Sequence, residues 1–395
     1  MTRTHSSWRL RAALALLGVA AMVGPAFGAP KTHEVSRGNS LWSIARRYGV
    51  SVAAIRQANG LEQDDSIRPG QTLVIPEPGA RRRKGSDRGP EPAASSAPRK
   101  EGAVAKPAPS TQVQKSAKER GVNPCNTPDP GFGIYDRWDR SVSMGQMIAP
   151  HRGGVAKNGA FDVMIHFHGH EAVRKEWVQV MHGAVLVGID LGIGSGPYSA
   201  AFAGPGSFEK LVASVEATMA KRSGNARAHV RHVGLSAWSA GYGAVIEILK
   251  QDYAKKTVDT VVLLDGLHCG YTGSTLNALQ IQPVIDFAKL AARGKKTMFV
   301  SHSSIIPPGY ASTTETAEFL VQEVGGRTRK VRPRSGDPMG LDLIDRFDKA
   351  GFHERGYSGN DKMDHCAHIG LFRDVLKVHV RGRWNSPRGF GPKKG

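Results

Sequence analysis

The chain has 395 residues, 40% of them hydrophobic, with 54 Lys+Arg against 34 Asp+Glu for a formal net charge of +20. At roughly 100–200 residues per domain that is enough for two or three units with ordinary cores, and the apolar fraction excludes wholesale disorder. Three cysteines without C-x-x-C spacing exclude a disulfide-dense miniprotein and a zinc or redox motif, while the positive charge points to polyanionic surroundings.

Arg3, Arg9 and Arg11 precede an apolar run from Ala12 to Gly24, and Ala26-Phe27-Gly28 supplies small residues for a cut after Gly28. This is the three-part pattern of a signal peptide over residues 1–28. The run is shorter than the roughly 20 residues that span a bilayer core, so the expectation is an exported chain of the periplasm, cell wall or extracellular space without a transmembrane segment. Nucleic acid drops out as a partner there, and no aromatic-interleaved basic motif argues for it.

Within residues 29–77, Thr32-His33-Glu34-Val35 reads as a short strand. From Ser40 onward Leu41, Ile44, Ala45 and Tyr48 fall at helical spacing, with Ser40 as N-cap and Gly49 as stop. A second short helix, capped by Ser51, carries Ala54, Ile55 and Ala58 on one face and ends at Asn59-Gly60. A turn through Pro69-Gly70 leads into the strand Thr72-Leu73-Val74-Ile75-Pro76. The block from Gly38 to Ala45, the Val52…Asn59-Gly60 block and the closing Ile67…Pro76 block together resemble a LysM module. The resemblance implies binding to peptidoglycan or another N-acetylglucosamine glycan. Gly38, Asn39, Ser40 and Leu41 would form one wall of the groove, and Asn59, Gly60 and Leu61 the other. Against that, Trp42 and Ile44 also read as core, and Gly38 and Gly60 as residues of tight turns.

Residues 78–120 are rich in Pro, Ala, Ser, Lys and Arg; 80–120 alone hold 11 basic and 4 acidic side chains. Such a segment cannot bury enough apolar surface to fold and is expected to be a disordered basic tether. Arg81-Arg82-Arg83-Lys84 within it is either merely solvated or a contact for anionic envelope polymers. A basic tail, 386–395, closes the chain.

From 121 to 385 the pattern is globular. Strands are expected at Phe161–Phe167, Ala184–Ile189, His229–Leu235, Val258–Leu264 and Thr297–Val300. Helices are expected at Phe208–Ala220, Tyr242–Leu249, Pro283–Ala292, Thr313–Val324 and from about His365. Apolar strands alternating with helices mean an α/β fold built on a doubly wound, mostly parallel sheet, with ligands beyond the carboxyl ends of the strands.

At those ends lie the chemistry-bearing residues. Ser239 follows a strand and enters a helix, with Ala237 two residues before it and Gly241 two after. This suits a sharp turn carrying a nucleophile whose next backbone N–H, that of Ala240, faces an oxyanion. The plainer reading is a helix cap, and Ser236 is a competing serine. A serine nucleophile needs a base and an orienting acid. Asp265 ends the next strand, and His365 or the alternative base His368 opens the last helix, giving the order Ser…Asp…His.

The elbow, the chain order and the His-Gly strand end at His168-Gly169-His170 resemble an α/β-hydrolase-fold serine hydrolase. That resemblance implies acyl hydrolysis, with Gly169 and His170 as candidates for the second oxyanion donor. It implies no cofactor and no metal. Two alternatives stand beside it: a non-catalytic wall-binding scaffold, and a metal-dependent hydrolase using His166, His168 and His170 with Glu171. Leu191-Gly-Ile-Gly-Ser-Gly-Pro197 reads as a pocket-lining loop more readily than as a phosphate cradle. Tyr310–Thr316 either adds to the pocket or caps the following helix. For the cysteines the leading expectation is a Cys269–Cys366 bridge. The rivals are Cys125 paired with either of them, or three free thiols.

Overall fold

The computed structural model describes residues 31–35, 41, 44, 48, 50, 52–61, 67–68, 70–77, 123–272, 275–307, 309–332 and 339–385. The expected signal peptide, basic tether and tail, Trp42, and three of the proposed glycan contacts (Gly38, Asn39 and Ser40) lie outside the described residues. The chain divides into two units, 1–86 and 87–395.

In the small unit, β1 (Thr32–Glu34) pairs antiparallel with β2 (Thr72–Val74). The helix Val52–Ala58 lies between them in sequence, and Leu41, Ile44 and Tyr48 are helical. Val35, Leu41, Ile44, Ile55, Leu73 and Ile75 form one buried cluster. Leu41 and Ile44 belong to it because residues three apart share a helix face.

The large unit contains β3 (Gln146–Ile148), β4 (Ala160–Phe167), β5 (Val185–Ile189), β6 (His229–Trp238), β7 (Val258–Leu264), β8 (Tyr271–Thr272), β9 (Thr275–Leu276), β10 (Thr297–His302), β11 (Arg329–Lys330), β12 (Leu343–Lys349) and β13 (Phe352–Tyr357). All but β8 and β9 join one nine-stranded sheet in the order β11-β12-β13-β10-β7-β6-β4-β5-β3. The six strands from β13 to β5 are parallel, with antiparallel β3 at one edge and β12–β11 at the other. This is the doubly wound, mostly parallel sheet expected. From β4 the chain goes first to β5 on one side and then returns to β6 on the other. The crevice between β4 and β6 is therefore a topological switch point.

Alternation on β4 shows how the strands feed two layers. Val163, Ile165 and Phe167 point into one apolar cluster, which also holds the faces of helices Ser207–Ser223, Tyr242–Lys250, Gln282–Ala292 and Thr313–Glu323. Met164 points into the other, shared with helices His170–Trp177 and Lys362–Val375. Burial on both faces is why β4, β5 and β7 read as continuous apolar runs.

The main differences from the expected elements lie at the sheet edges and in polar segments. β3, β12, β13 and helices His170–Trp177 and Gly196–Phe202 had no sequence signal. β13 reads Phe-His-Glu-Arg-Gly-Tyr, yet Glu354 in its middle is fully buried. Its carboxylate meets the buried imidazole of His302 at 2.9 Å, which is how a charged sequence sits in an inner strand.

Candidate active site

Register brings the first two candidates together. Trp238 of β6 pairs with Leu264 of β7, so Ser239 and Asp265 are the next residues on adjacent parallel strands. A Cβ on Gly266 would stand 2.5 Å from the Ser239 carbonyl oxygen. Ser239 opens a 3-10 turn, Ser239–Gly241, that leads directly into the helix Tyr242–Lys250. Its φ is +49°, in the left-handed region. Gly241 explains the small residue at the second position after the serine: a Cβ there would lie 2.2 Å from the Phe167 carbonyl oxygen of β4. Among the described residues four non-glycines have positive φ, and three of them, His168, Ser239 and Asp265, sit just past β4, β6 and β7. Such strain persists only where the surroundings impose it, and it concentrates at functional sites.

Asp265 is 2% exposed. Its Oδ2 accepts from His365 Nδ1 at 2.7 Å, and its Oδ1 accepts from the Ser303 N–H at 2.8 Å and the Thr313 hydroxyl at 2.6 Å. Burial alone would push this carboxyl up. The neighbouring His368 and His365 rings and the bonds from His365 and Thr313 hold it well below the ordinary range. His365 lies in the first turn of the helix Lys362–Val375, whose N-terminus is closed by a capping box between Asp361 and Asp364. The Trp238 indole packs 4.7 Å from the His365 ring, centroid to centroid, and its N–H donates to the His365 carbonyl at 3.0 Å. Trp238 also stacks on His168, ring centroids 5.2 Å apart. The residue before the serine thus clamps the histidine at both ring and backbone.

His368, the alternative base, is fully buried; its Nδ1 meets Ser301 Oγ at 2.8 Å, not the carboxylate. It lies one helical turn inside the core, and this corrects the alternative. Ser236 is fully buried and bonds His166 Nδ1 at 2.8 Å, while His166 Nε2 donates to the His168 carbonyl. The three histidines proposed as a metal cluster diverge to separate partners. His166 takes Ser236, His168 takes the Tyr198 hydroxyl at 2.9 Å, and His170 takes Asp190 and Gln146. Glu171 reaches Arg174 at 3.0 Å.

Gly169 also needs correction as an oxyanion donor, because its N–H is donated to Asp190 Oδ1 at 2.6 Å. Asp190 follows β5, and its charge braces the His168–His170 turn. Ala240 is buried beside Ser239 in the turn. Sequence reading missed Asp190, Trp238 and Thr313. Their only signal was adjacency, respectively to a strand end, the serine and a helix start. Tyr310–Thr316 does both things considered for it. Tyr310 lines a cavity, and Ser312 caps its helix through a capping box with Glu315. Ser195 of the Gly-rich loop lines the same cavity.

The expected Cys269–Cys366 bridge is overturned. Cys366 bonds Cys125, with Cα atoms 4.8 Å apart, and Cys269 is a buried free thiol. Asp265 and His365 do meet. Cys366 nevertheless points away from the acid, since consecutive helical residues face different directions, and it finds the segment that leads into the domain instead.

In the small unit, Leu41 and Asn59 are corrected as groove residues. Leu41 is core, 8% exposed. The Asn59 amide donates to the carbonyls of Ile55 and Val74 and accepts from the Val74 N–H, at 2.7–2.8 Å, tying the helix end to β2. Gly60 is exposed with φ +63°, and Leu61 packs partly buried on the core.

Two buried imidazoles carry a pH signature. Burial lowers His166 to about 3 and His368 to about 4. The unfolded value is near 6.5, so the folded state binds fewer protons. This stability is fully present above about pH 6.5 and is lost as pH falls toward those values. Glu176, lifted by burial to about 7, and His302, buried but raised by its bond to Glu354, work in the opposite sense, while burial lowers His268, and His379 to about 4, so the lowered imidazoles outnumber the opposing groups. The midpoint of thermal unfolding is expected to drop by about 5 °C between pH 7 and pH 5; an unchanged or rising midpoint would contradict the assignment of neutral buried histidines.

Residues 33–76 match the LysM domain family, and that segment is a LysM domain. A LysM domain implies binding to peptidoglycan or a related N-acetylglucosamine glycan, hence a cell-wall-associated protein. The chain is 36% identical over 128 residues to SpoIVD-associated factor A of Bacillus subtilis, covering 30% of this chain and 33% of that protein. It is 42% identical over 53 residues to the N-acetylmuramoyl-L-alanine amidase XlyA of the same organism, covering 13% and 18%. The chain spans a third or less of the length of these relatives. A solved poly(3-hydroxybutyrate) depolymerase, LpqC of Bordetella parapertussis, aligns over 58% of this chain and 84% of its own with 13% identity and a TM-score of 0.34. At that score the likeness adds nothing to the topology read from the sheet. Among the described residues no helix is long and apolar enough to cross a membrane.

Proposed function

We propose that the large unit is a serine hydrolase of esterase type, held at the exported cell wall by its LysM domain. Ser239 Oγ attacks an acyl carbonyl. His365, with Nδ1–H donated to Asp265, offers Nε2 as the base that takes the serine proton and later returns it to the leaving group. The Ala240 N–H and that of His170, at the start of its helix, would receive the developing oxyanion. Water then releases the acyl group from Ser239. The observation carrying this reading is the 2.7 Å bond from His365 to Asp265, with Asp265 fixed beside Ser239 by the pairing of Trp238 and Leu264. The basic stretch 78–120 would add a salt-sensitive attraction to anionic envelope polymers.

A fluorophosphonate probe tests the nucleophile. The folded chain is expected to be labelled at one residue, with labelling abolished in Ser239→Ala. A folded chain that takes no label is a wall-binding scaffold instead, and label retained in Ser239→Ala moves the nucleophile elsewhere.

A further inference from the structure

A cavity of about 310 Å³ opens where Tyr242 begins its helix, three residues beyond Ser239. Three loops past the carboxyl ends of the sheet converge on it. The loop after β5 brings Ser195 and the following helix Ser199, the loop after β7 brings His268 and Gln280, and the loop after β10 brings Tyr310. Among the described residues its walls include none of Ser239, Asp265 and His365. It adjoins the candidate triad without being the reacting centre.

Its chemistry is neutral and hydroxyl-rich. Glu247 and Lys250, the charged side chains of the wall, pair with each other at 2.7 Å. A charged ligand would find no uncompensated counterion. His268 Nδ1 donates to the Ala311 carbonyl at 2.9 Å. Burial pushes its pKa down, so the ring is neutral and Nε2 presents a lone pair. The rings of Tyr242 and Tyr310 stand edge-on to it at 5.6 and 5.0 Å. Gln280 Oε1 accepts from the Gly270 N–H at 2.7 Å, leaving its amide hydrogens as donors. The Tyr242 hydroxyl already bonds Ser195; the hydroxyls of Ser199 and Tyr310 on the same wall both donate and accept.

An alkyl acyl chain placed here would strip these groups of water and give nothing back, at about 1–3 kcal/mol for each one left unpaired. A sugar ring answers these polar features. Its hydroxyls and an acetamido group meet the imidazole, hydroxyls and amide, and its C–H face meets the electron-rich tyrosine faces. The volume lies at the low end of the roughly 300–1,000 Å³ of ligand pockets, which suits one or two rings rather than a long strand.

We propose that this cavity is a saccharide subsite for an N-acetylated sugar, and that the ester presented to Ser239 is carried by that sugar. The N-acetyl assignment follows from the LysM domain on the same chain, which implies a glycan of that chemistry. The ester half rests on the serine-hydrolase reading; the binding half does not. In the full reaction the acyl group passes from the sugar oxygen to Ser239 Oγ. The sugar hydroxyl leaves with the proton held by His365, and water then releases the carboxylic acid and restores the serine.

The test has two arms, both on the full chain. Calorimetric titration of Ser239→Ala with chitobiose is expected to show two classes of site, the LysM domain and the cavity. Adding Tyr310→Ala should remove one class, and Gln280→Ala, a change at an exposed side chain, should weaken the same class on the order of tenfold if Tyr310→Ala disturbs the fold. A single class in Ser239→Ala, or two undiminished classes in both variants, overturns the proposal. In the second arm, kcat/KM for a 6-O-acetylated methyl N-acetylglucosaminide is divided by kcat/KM for p-nitrophenyl acetate. This ratio should fall tenfold or more in Tyr310→Ala, and an unchanged ratio overturns the assignment of the ester. Loss of the binding class in a chain that takes no fluorophosphonate label leaves the subsite standing and removes the hydrolase reading.

Discussion

Replacing Asp265 by Asn is expected to lower kcat by about 10⁴ while leaving the fold intact. The asymmetry of the carboxylate's bonds explains why the loss should be chemical. Oδ1 accepts from the Ser303 N–H and the Thr313 hydroxyl, so an Asn carbonyl oxygen placed there keeps both bonds. The amide nitrogen then falls where Oδ2 receives the His365 Nδ1–H and presents a donor to it. To avoid two facing donors the imidazole must move its proton to Nε2, the atom that should accept the serine proton. Activity would return only as hydroxide takes over from Nε2 as the base that removes the serine proton, giving a rising pH profile in place of the plateau of the parent chain. Turnover of p-nitrophenyl acetate from pH 6 to 10 checks this. A kcat within tenfold of the parent would remove Asp265 from the mechanism. If the variant lost its thermal transition, Asp265 would instead be structural.

How much of this was legible in the sequence depended on what each segment buries. β4, β5, β7 and β10 are buried on both faces, so their apolar runs announce themselves; the switch point depends on strand order, which alternation alone does not give. β13 sits as deep but carries Glu354, whose partner His302 is 52 residues away; no local pattern can reveal such a pairing. The serine turn was readable because close backbone approach leaves a composition trace, the small residue at Gly241. The Asp–His meeting was readable from chain order, since that order reflects which strand ends face the crevice. The choice between His365 and His368 was not, because it depends on one helical turn of depth. Gly169 failed for a similar reason: a glycine at a strand end advertises a free N–H, but Asp190, from the neighbouring strand, takes it. Asn59 shows the same limit in the small unit. Its position fits a groove wall, and only the fold shows its amide engaged on three sides by backbone.

Removing the Cys125–Cys366 bridge is expected to be the largest single change in stability. The bond joins positions 241 residues apart, and loop-closure entropy for that separation is about 5 kcal/mol at 25 °C, against a usual range of 2–5 kcal/mol for loss of a native disulfide. It also ties the first described residues of the domain, around Asn123–Asn126, to the helix that carries His365. The double variant Cys125→Ser/Cys366→Ser should therefore unfold on the order of 10 °C lower in calorimetry, and reduction by dithiothreitol should lower the parent to the same midpoint. Two further outcomes separate stability from positioning. The helix start keeps its own capping box from Asp361 and Asp364, and His365 keeps its bonds to Asp265 and Trp238. Well below the lowered midpoint, kcat should then fall no more than a few-fold. A loss comparable to that of Asp265→Asn at 20 °C would mean that the bridge, not the cap and the indole, sets the position of the imidazole. A midpoint unchanged by either treatment would mean that the bond does not form in the protein.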